Sequence, residues 1–356
     1  MIFNIPKFIF VFILALVLSG VLVKLVMILA RRLKILDYPN TDRKIHQKPI
    51  PLLGGLAIYG AFLLTVFILW QQKLLLDGRV DLSIIVWFLL AGLVLMINGY
   101  LDDKYSLAPK ISIGGPILAS LIVIVGGLKI AYITNPSGGV LYLDGLFNWD
   151  FIGLAITLLW LMGITYTTKL LDGIDGLTSS IGLIASLVIF GVSMSWDVAG
   201  SSTSLLSLAL AGSILGFLIF NWHPAKIFLG EAGSTFIGFA LGVLSIISGS
   251  KIATALLVMG LPVLDIFWVI IKRIKRGQVF WHSDQEHLHF RLLKSGFSQK
   301  QIVLFLSAVS LSFGIISIFF TTKIKISALL IVIILMIILS SWINYRLREQ
   351  DEKTKI

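Results

Sequence analysis

The chain has 356 residues, of which 57% are hydrophobic and only 13% are charged, whereas soluble domains carry about 25% charged residues. This composition predicts a polytopic membrane protein, and the absence of cysteine excludes disulfides, a thiolate nucleophile and a cysteine-ligated zinc site. The formal net charge of +11 would suit a nucleic-acid-binding protein, but the basic residues cluster in alternate loops, as membrane topology produces. We therefore expect anionic lipid headgroups and an anionic substrate as partners, and no nucleic acid.

Eleven apolar runs are long enough to cross a bilayer, which takes about 20 residues of α-helix. They fall near residues 8–30, 53–70, 83–101, 112–132, 151–169, 177–196, 204–222, 235–250, 252–271, 302–320 and 326–343. The first is predicted to be a retained span, because it has no convincing small-residue cleavage site. No soluble domain fits between the runs. We expect an all-α polytopic protein with a single integral membrane domain over 1–356: a core at 44–300, spans at 302–343 and a tail at 344–356.

The orientation follows from lysine and arginine. With the N-terminus outside, 21 of the 29 basic residues fall in inner segments and seven in outer ones, while Lys24 lies inside the first run. This threefold excess predicts an N-out, C-in topology. The same assignment places all five histidines and the acidic motifs inside, although they were not used to fix it. We therefore expect the chemistry at the cytoplasmic face of the plasma membrane.

Two local signals predict departures from straight spans. In the outer segment 138–149, Asp144-Gly145 lies between apolar-rich runs and predicts the turn of a small β-hairpin. The ninth run contains Pro262 and Asp265, and a kink there would free its basic end to lean away as an interfacial helix.

The first inner loop carries basic residues beside a proline-rich stretch. Residues 44–55 read K-I-H-Q-K-P-I-P-L-L-G-G, in which the prolines fix an extended backbone and the glycines permit a close approach at the head of the next run. His46, Lys48 and the preceding Lys44 could hold a phosphate. Basic residues beside a cytoplasmic membrane edge are also routine, so this motif alone decides nothing.

The second inner loop contains the adjacent carboxylates Asp102 and Asp103 at the end of a run. Like charges repel and one residue suffices to cap a helix, so a structural role explains the pair poorly. Paired carboxylates suit Mg²⁺, which in turn bridges phosphate oxygens; alternatively, one of them acts as a base on an acceptor phosphate. Lys110, in the same loop, would supply a cation for the phosphoryl charge.

The third inner segment, Thr165–Leu177, reads T-Y-T-T-K-L-L-D-G-I-D-G-L and places Asp172 and Asp175 between two long apolar runs. Three residues apart, the two share one face if the segment is helical. Burying unpaired charge at the edge of a bilayer is costly, so we interpret them as part of a metal- and phosphate-handling site. Helix capping at a span boundary is the alternative, and it explains one aspartate better than two.

The fourth inner loop, Asn221–Ser234, reads N-W-H-P-A-K-I-F-L-G-E-A-G-S. The glycines on either side of Glu231 predict a tight turn that presents one carboxylate beside free backbone N–H groups, which suits a metal–diphosphate. G-E-A-G by itself is a weak signal. Phe228 could stack on a base, or it could be a buried aromatic.

The fifth inner loop, His282–Arg291, reads H-S-D-Q-E-H-L-H-F-R. His287 and His289 point the same way only if the chain is extended. An H-x-H pair suggests zinc, but no third and fourth ligand has convincing spacing. Imidazoles that bind phosphate are the preferred interpretation.

Taken together and in this order, the five loops resemble the polyprenyl-phosphate N-acetylhexosamine-1-phosphate transferases. That family includes the phospho-MurNAc-pentapeptide translocases and the WecA/TagO-type N-acetylglucosamine-1-phosphate transferases. The resemblance runs from about His46 to Phe297, and the number and orientation of the runs agree with it. The short D-x-x-H-x-H element and the eleven runs are more similar to the WecA/TagO-type branch.

The resemblance implies a Mg²⁺-dependent enzyme, with Mn²⁺ as the alternative ion, that transfers N-acetylhexosamine-1-phosphate from a UDP-sugar to undecaprenyl phosphate and releases UMP. The sugar is expected to be N-acetylglucosamine, the reaction the first membrane step of cell-envelope glycan synthesis, and a homodimer is compatible with it. Together with the loop chemistry, it makes Asp102, Asp103, Asp172, Asp175 and Lys110 the candidate catalytic residues. The candidate substrate contacts are His46, Lys48, Lys169, Asn221, Phe228, His287, His289 and Arg291, and the candidate metal ligands are Asp103, Asp175 and Glu231.

Three positions depart from the family's pattern. Lys169 stands where the family normally has asparagine, Glu231 where it has aspartate, and Phe290 where it has a further histidine. Lys169 could pair with Asp172 and weaken the metal, or contact a phosphate directly. Glu231 moves its carboxylate outward by about 1.5 Å if fully extended. These changes leave the donor's identity and the turnover open.

Two other functions are weighed against the transferase. A transporter would place charged residues near the bilayer midplane and show a paired repeat, whereas acids at the inner ends of the runs favour an enzyme. A family relative with altered or lost activity would follow from the changes at Lys169, Glu231 and Phe290.

Overall fold

The computed structural model describes residues 5–39, 46–75, 80–135, 139–143, 151–196, 201–249, 252–277 and 286–354. The helices within them are α1 Ile5–Arg32, α2 Gly54–Gln71, α3 Leu82–Tyr105, α4 Pro109–Ser112, α5 Gly114–Val125, α6 Phe151–Leu171, α7 Leu177–Trp196, α8 Ser202–Asn221, α9 Gly230–Ile247, α10 Ile252–Val258, α11 Gly260–Lys275, α12 Leu288–Lys294, α13 Gln299–Phe319 and α14 Thr322–Thr354. The strands are β1 Leu36–Asp37, β2 Ile50–Pro51, β3 Tyr132–Thr134 and β4 Val140–Tyr142.

Nine helices of the described ranges are long and apolar enough to cross a bilayer: α1, α2, α3, α6, α7, α8, α9, α13 and α14. A tenth span would be made by α10 and α11 together. The predicted run at 112–132 corresponds to the shorter apolar stretch Pro109–Val125. The all-α polytopic class is therefore confirmed, whereas the number of eleven spans is not, and the N-out, C-in orientation stays a prediction.

The predicted kink in the ninth run is a break between two helices. α10 and α11 meet at Met259 with a bend of 79°. Pro262 follows as the third residue of α11, where its missing N–H costs no helical hydrogen bond, and its ring disfavours a continuous helix through the residue four positions earlier. The basic residues Lys272, Arg273 and Lys275 lie in the last turn of α11.

α8 and α9 lie at the centre of the bundle. α8 packs against α1, α2 and α7, while α9 packs against α2, α3 and α6. A Cβ atom at Gly55 of α2 would lie 2.2 Å from the backbone nitrogen of Gly233, and one at Gly99 of α3 would lie 2.2 Å from that of Ala232. Only glycine fits at such distances. The contact of Gly99 with Ala232 brings the second and fourth inner loops together.

Replacing Gly55 by alanine is therefore expected to destabilise the protein by about 1–3 kcal/mol, the usual cost of overpacking a core. The physical reason is that backbone, which cannot rotate away, occupies the space of the new methyl group. Thermal unfolding of the purified protein in detergent measures the effect. Gly20→Ala on α1 is the matched control, because a Cβ there meets nothing within 4 Å; equal melting temperatures for the two variants would contradict the prediction.

Two antiparallel strand pairs accompany the helices. β1 pairs with β2, and β3 pairs with β4. A small β-hairpin is present in this region, but it is not the predicted one: residues 140–142 pair with the preceding segment 132–134 and not with a segment after residue 145. The proposed turn at Asp144-Gly145 lies outside the described residues.

Candidate functional site

A cavity of about 1690 Å³ opens at one end of the bundle, where α1, α3, α6 and α8 end and where α2, α7, α9 and α13 begin. All five predicted inner loops contribute to its lining. Of the predicted site residues, the lining includes His46, Lys48, Asp102, Asp103, Lys169, Asp172, Asp175, Asn221, Phe228 and Glu231. Lys110, His287, His289 and Arg291 are not among the lining residues.

The first and fourth loops are joined through their backbones. Phe228 donates its N–H to the carbonyl of Pro51 at 2.9 Å and accepts from the N–H of Gly54 at 3.0 Å. The Phe228 ring meets the His46 ring edge-on, with centroids 5.3 Å apart. The proline-rich stretch therefore acts as an extended strap that holds the fourth loop against the cavity.

Asn221 joins the third and fourth loops. Its side-chain oxygen accepts hydrogen bonds from the N–H of Gly176 at 3.2 Å and from the hydroxyl of Ser179 at 3.0 Å, and its amide donates to the carbonyl of Ile227 at 3.0 Å. The side chain is buried. These contacts give Asn221 a role in holding the loops together, beside the predicted contact with the substrate.

Asp103 has one oxygen held by protein and one without a partner. Its Oδ1 accepts from the N–H of Glu231 at 3.0 Å, whereas Oδ2 is buried and has no hydrogen-bond partner among the described residues. Gly230 is required beside it: its φ is +69°, and a Cβ there would lie within 2.3 Å of Oδ2. A buried carboxylate oxygen without a partner is costly unless a cation or a proton satisfies it.

Asp102, in contrast, is engaged by protein on both oxygens. Oδ1 accepts from the N–H of Leu107 at 3.0 Å, and Oδ2 accepts from the hydroxyl of Ser112. The ammonium of Lys169 lies 3.9 Å from Oδ2 and donates to the Ser112 hydroxyl at 3.1 Å. It is also 2.8 Å from Glu231 Oε2. Lys169 thus pairs with Glu231 and Asp102, and its suggested pairing with Asp172 does not form.

Asp172 faces the cavity in the turn between α6 and α7. Its side chain is open to the cavity, but protein atoms surround it on the other sides and separate it from bulk water. This burial, followed by the negative charges of Glu231 and Asp175, raises the pKa of Asp172 to about 7. A cation bound at this carboxylate would favour its ionised form.

Asp175, in the same turn, holds an imidazole that sequence reasoning missed. Its Oδ2 accepts from the N–H of Ala225 at 3.1 Å and lies 2.7 Å from His223 Nδ1. Its own N–H donates to the side chain of Gln299 at 3.1 Å. His223 and Gln299 both line the cavity. The N-W-H-P sequence could have pointed to His223, but no sequence signal pointed to Gln299.

The histidines of the fifth loop turn into the protein. His287 Nδ1 lies 2.9 Å from Asp265 Oδ2, and Arg291 donates to Ser340 and Asn344 of α14. His289 is 1% exposed and packs against Gly173, and its Nε2 has no hydrogen-bond partner in the described part of the chain. Phe290 is the residue of this group that lines the cavity. His282 and Asp284 lie outside the described residues.

Burial and the adjacent His287 lower the pKa of His289 to about 3. An unfolded histidine titrates near 6.5, so between about pH 3 and 6.5 the unfolded chain binds a proton that the folded chain does not. The free energy of unfolding should therefore fall as the pH is lowered through this window, by up to about 1.4 kcal/mol per pH unit. Chemical unfolding at a series of pH values measures the slope. His289→Gln, which does not titrate, should flatten it; identical slopes would contradict the assignment.

The carboxylates around the cavity suit a metal ion whose coordination shell is completed by the substrate. No group of three carboxylates or imidazoles in the described ranges is spaced to hold a metal by itself. Mg²⁺ is usually held by one or two carboxylates, waters and substrate phosphates. Asp103, through its unpartnered Oδ2, and Asp172, which faces the cavity, meet that requirement. Of the other two predicted ligands, Asp175 holds His223 through Oδ2. Glu231 Oε2 also has no hydrogen-bond partner among the described residues, but the ammonium of Lys169 lies 2.8 Å from it as an ion pair.

Comparison with known proteins identifies the family of the chain. Residues 85–249 match the model of the family described as Glycosyl transferase family 4. The chain is 30% identical to a probable undecaprenyl-phosphate N-acetylglucosaminyl 1-phosphate transferase of Bacillus subtilis, over 92% of this chain and 88% of the relative. It is 34% identical to a decaprenyl-phosphate N-acetylglucosaminephosphotransferase of Mycobacterium leprae, over 79% and 75% of the two chains. A phospho-N-acetylmuramoyl-pentapeptide-transferase of Halalkalibacterium halodurans is 28% identical, over 78% and 85%. The chain therefore belongs to glycosyl transferase family 4, the family of the polyprenyl-phosphate sugar-1-phosphate transferases that its loops resemble.

Proposed function

We propose that this protein transfers N-acetylglucosamine-1-phosphate from UDP-N-acetylglucosamine to a polyprenyl phosphate, with undecaprenyl phosphate as the acceptor, and releases UMP. The observation that carries the proposal is the cavity in which five loops of a membrane bundle bring together acidic and basic side chains. The names of the relatives supply the acceptor and the sugar. We place the site at the cytoplasmic face of the plasma membrane, because the lysine and arginine distribution favours that orientation.

The chemistry follows from two anions that must meet. An oxygen of the acceptor phosphate forms a bond to the sugar-linked phosphorus of the donor, and the bond from that phosphorus to the bridging oxygen breaks, so that UMP leaves with the electron pair. The cations that line the cavity reduce the repulsion between donor and acceptor: Arg31, Lys34, Lys48, Lys104, Lys169 and Lys226. Because the acceptor phosphate is already ionised at neutral pH, direct attack needs no strong base, and we favour it over a phospho-aspartyl intermediate.

We also propose Mg²⁺ as the cofactor, with Mn²⁺ as a substitute. Asp103 and Asp172 would hold it. When bound, the ion would neutralise charge on the phosphate oxygens. Asp102 keeps Asp103 in place, because its hydrogen bonds to Leu107 and Ser112 fix the end of α3.

The test is a transfer assay with the purified full chain in lipid nanodiscs, undecaprenyl phosphate, Mg²⁺ and a panel of UDP-sugars, with released UMP as the readout. We expect UMP release that needs the lipid phosphate and is highest with UDP-N-acetylglucosamine. UMP release at background with every sugar would overturn the proposal. In that case the double variant Lys169→Asn/Glu231→Asp tests for a relative that has lost activity: recovery of UMP release in the variant alone would identify one.

A transporter is not favoured by the position of the charges. The acids of the cavity lie at the ends of α3, α6 and α9 and in the turns beside them, and not at the centre of a span.

A further inference from the structure

Two of the three positions at which this chain departs from its family are partners of each other. The Lys169 ammonium lies 2.8 Å from Glu231 Oε2. Lys169 is in the last turn of α6 and Glu231 in the first turn of α9, where the helix dipoles favour a cation and an anion respectively. An asparagine at 169 would remove the charge, and an aspartate at 231 would end about 1.5 Å short of it. The two side chains therefore act as a unit.

The ammonium is fixed in position while remaining open to the cavity. Besides Glu231 it contacts the Ser112 hydroxyl at 3.1 Å and Asp102 Oδ2 at 3.9 Å. The side chain is 19% exposed and lines the cavity. A lysine held by three oxygens loses little further rotamer freedom when it meets an anion. It is therefore preorganised to contact a phosphate.

The same contact places a cation on Oε2 of Glu231 and so makes this carboxylate a weaker ligand for a divalent ion. A divalent ion bound to Oε2 would lie beside the ammonium of Lys169, which is 2.8 Å from the same oxygen. Two cations on one oxygen repel each other strongly in a partly desolvated site. Asp103 Oδ2 stays without a partner among the described residues, and Asp172 faces the cavity. Glu231 and Asp102 thus hold the fixed ammonium of Lys169, whereas Asp103 and Asp172 are left for an exchangeable divalent cation.

We propose that Lys169, held by Glu231, is a resident cation of this site: it contacts a phosphate group of the substrate, and it confines the divalent ion to the side of Asp103 and Asp172. The phosphate contact rests on the proposed function, because it requires a phosphorylated substrate. The effect on the divalent ion does not depend on any substrate.

The first experiment measures Mn²⁺ binding to the purified full chain in nanodiscs by electron paramagnetic resonance, without nucleotide or lipid phosphate. Lys169→Met is expected to raise the Mn²⁺ affinity at least tenfold, because it frees the Glu231 carboxylate. Lys169→Met/Glu231→Gln should return the affinity to the native value, and Lys169→Arg, which keeps the charge, should leave it unchanged. Lys294→Met is the matched control, since this lysine is exposed and does not line the cavity.

The second experiment measures binding of UDP in the absence of metal by calorimetry. Lys169→Met should weaken it at least tenfold, and Lys294→Met should not change it. Melting temperatures establish that each variant is folded; if Lys169→Met is not, Lys169→Gln replaces it. Mn²⁺ and UDP affinities of the neutral variant within twofold of native would overturn the inference. Because the Mn²⁺ measurement needs no turnover, an absence of UMP release with a tenfold Mn²⁺ effect would reject the proposed function and leave the confinement of the divalent ion standing.

Discussion

Replacing Asp103 by asparagine is expected to lower kcat/KM for UMP release by on the order of 10²–10³-fold, the scale of removing one preorganised electrostatic group. The carboxylate oxygen that has no partner among the described residues is the group lost. Thermal stability should be maintained or increased, because the substitution removes a buried acid whose charged form would be repelled by Glu231, Asp102 and Asp172, and asparagine can still accept from the N–H of Glu231. Steady-state transfer assays and thermal unfolding of the same preparation measure the two effects.

Asp81→Asn is the matched control for Asp103→Asn. Asp81 caps the opposite end of α3 by accepting from the N–H of Ser83 at 3.0 Å, and an asparagine oxygen can do the same. Its activity should equal that of the native protein. Asp102→Asn should lose stability as well as activity, because both of its oxygens have protein partners. Full activity in Asp103→Asn would remove this residue from the mechanism.

Replacing His223 by alanine is expected to lower kcat/KM by about 10²-fold, the lower end of what a positioned imidazole contributes. Asp175 orients the ring through Nδ1. The other nitrogen, Nε2, has no hydrogen-bond partner among the described residues, and the ring lines the cavity. When the ring is protonated, both nitrogens donate, so Nδ1 can stay on Asp175 while Nε2 donates to a phosphate of either substrate. The transfer assay at saturating and limiting UDP-sugar separates the effects on kcat and on KM.

Two conservative variants distinguish contact with substrate from support of Asp175. His223→Asn places an amide near the Nδ1 position and can keep the contact with Asp175, whereas His223→Gln places one near Nε2. We expect Gln to retain more activity than Asn. If Asn alone restored the native rate, the role of His223 would be to hold Asp175, and a contact with phosphate would be ruled out.

The acidic loops show where sequence reasoning succeeded. Adjacent aspartates at 102 and 103, and a pair at 172 and 175, needed an explanation because unpaired charge is costly at a membrane edge. The structure brings all four to one cavity. The different roles of these aspartates were not predictable, because they depend on partners in other elements: the N–H of Glu231 in α9 for Asp103, and the hydroxyl of Ser112 in α4 for Asp102.

The fifth loop shows where sequence reasoning was limited. The H-x-H pair was interpreted as binding phosphate, yet His287 meets Asp265 and His289 is buried behind Gly173. The direction of these side chains depends on where α12 begins, at Leu288, and on its packing against α14. Such helix-to-helix packing leaves no signal in a short motif. Lys110 is a similar case, since the short helix α4 leaves it exposed and outside the cavity lining.

The sequence by itself determined the membrane class, the positions of nearly all the helices and the family, because hydropathy, charge distribution and loop order are properties read along the chain. Only the tertiary structure decided that Lys169 pairs with Glu231, that His223 belongs to the site and that the ninth run breaks at Met259 into two helices at a steep angle. These features depend on which helix ends come within a few ångströms of one another, and that is settled by packing at glycines such as Gly55 and Gly99.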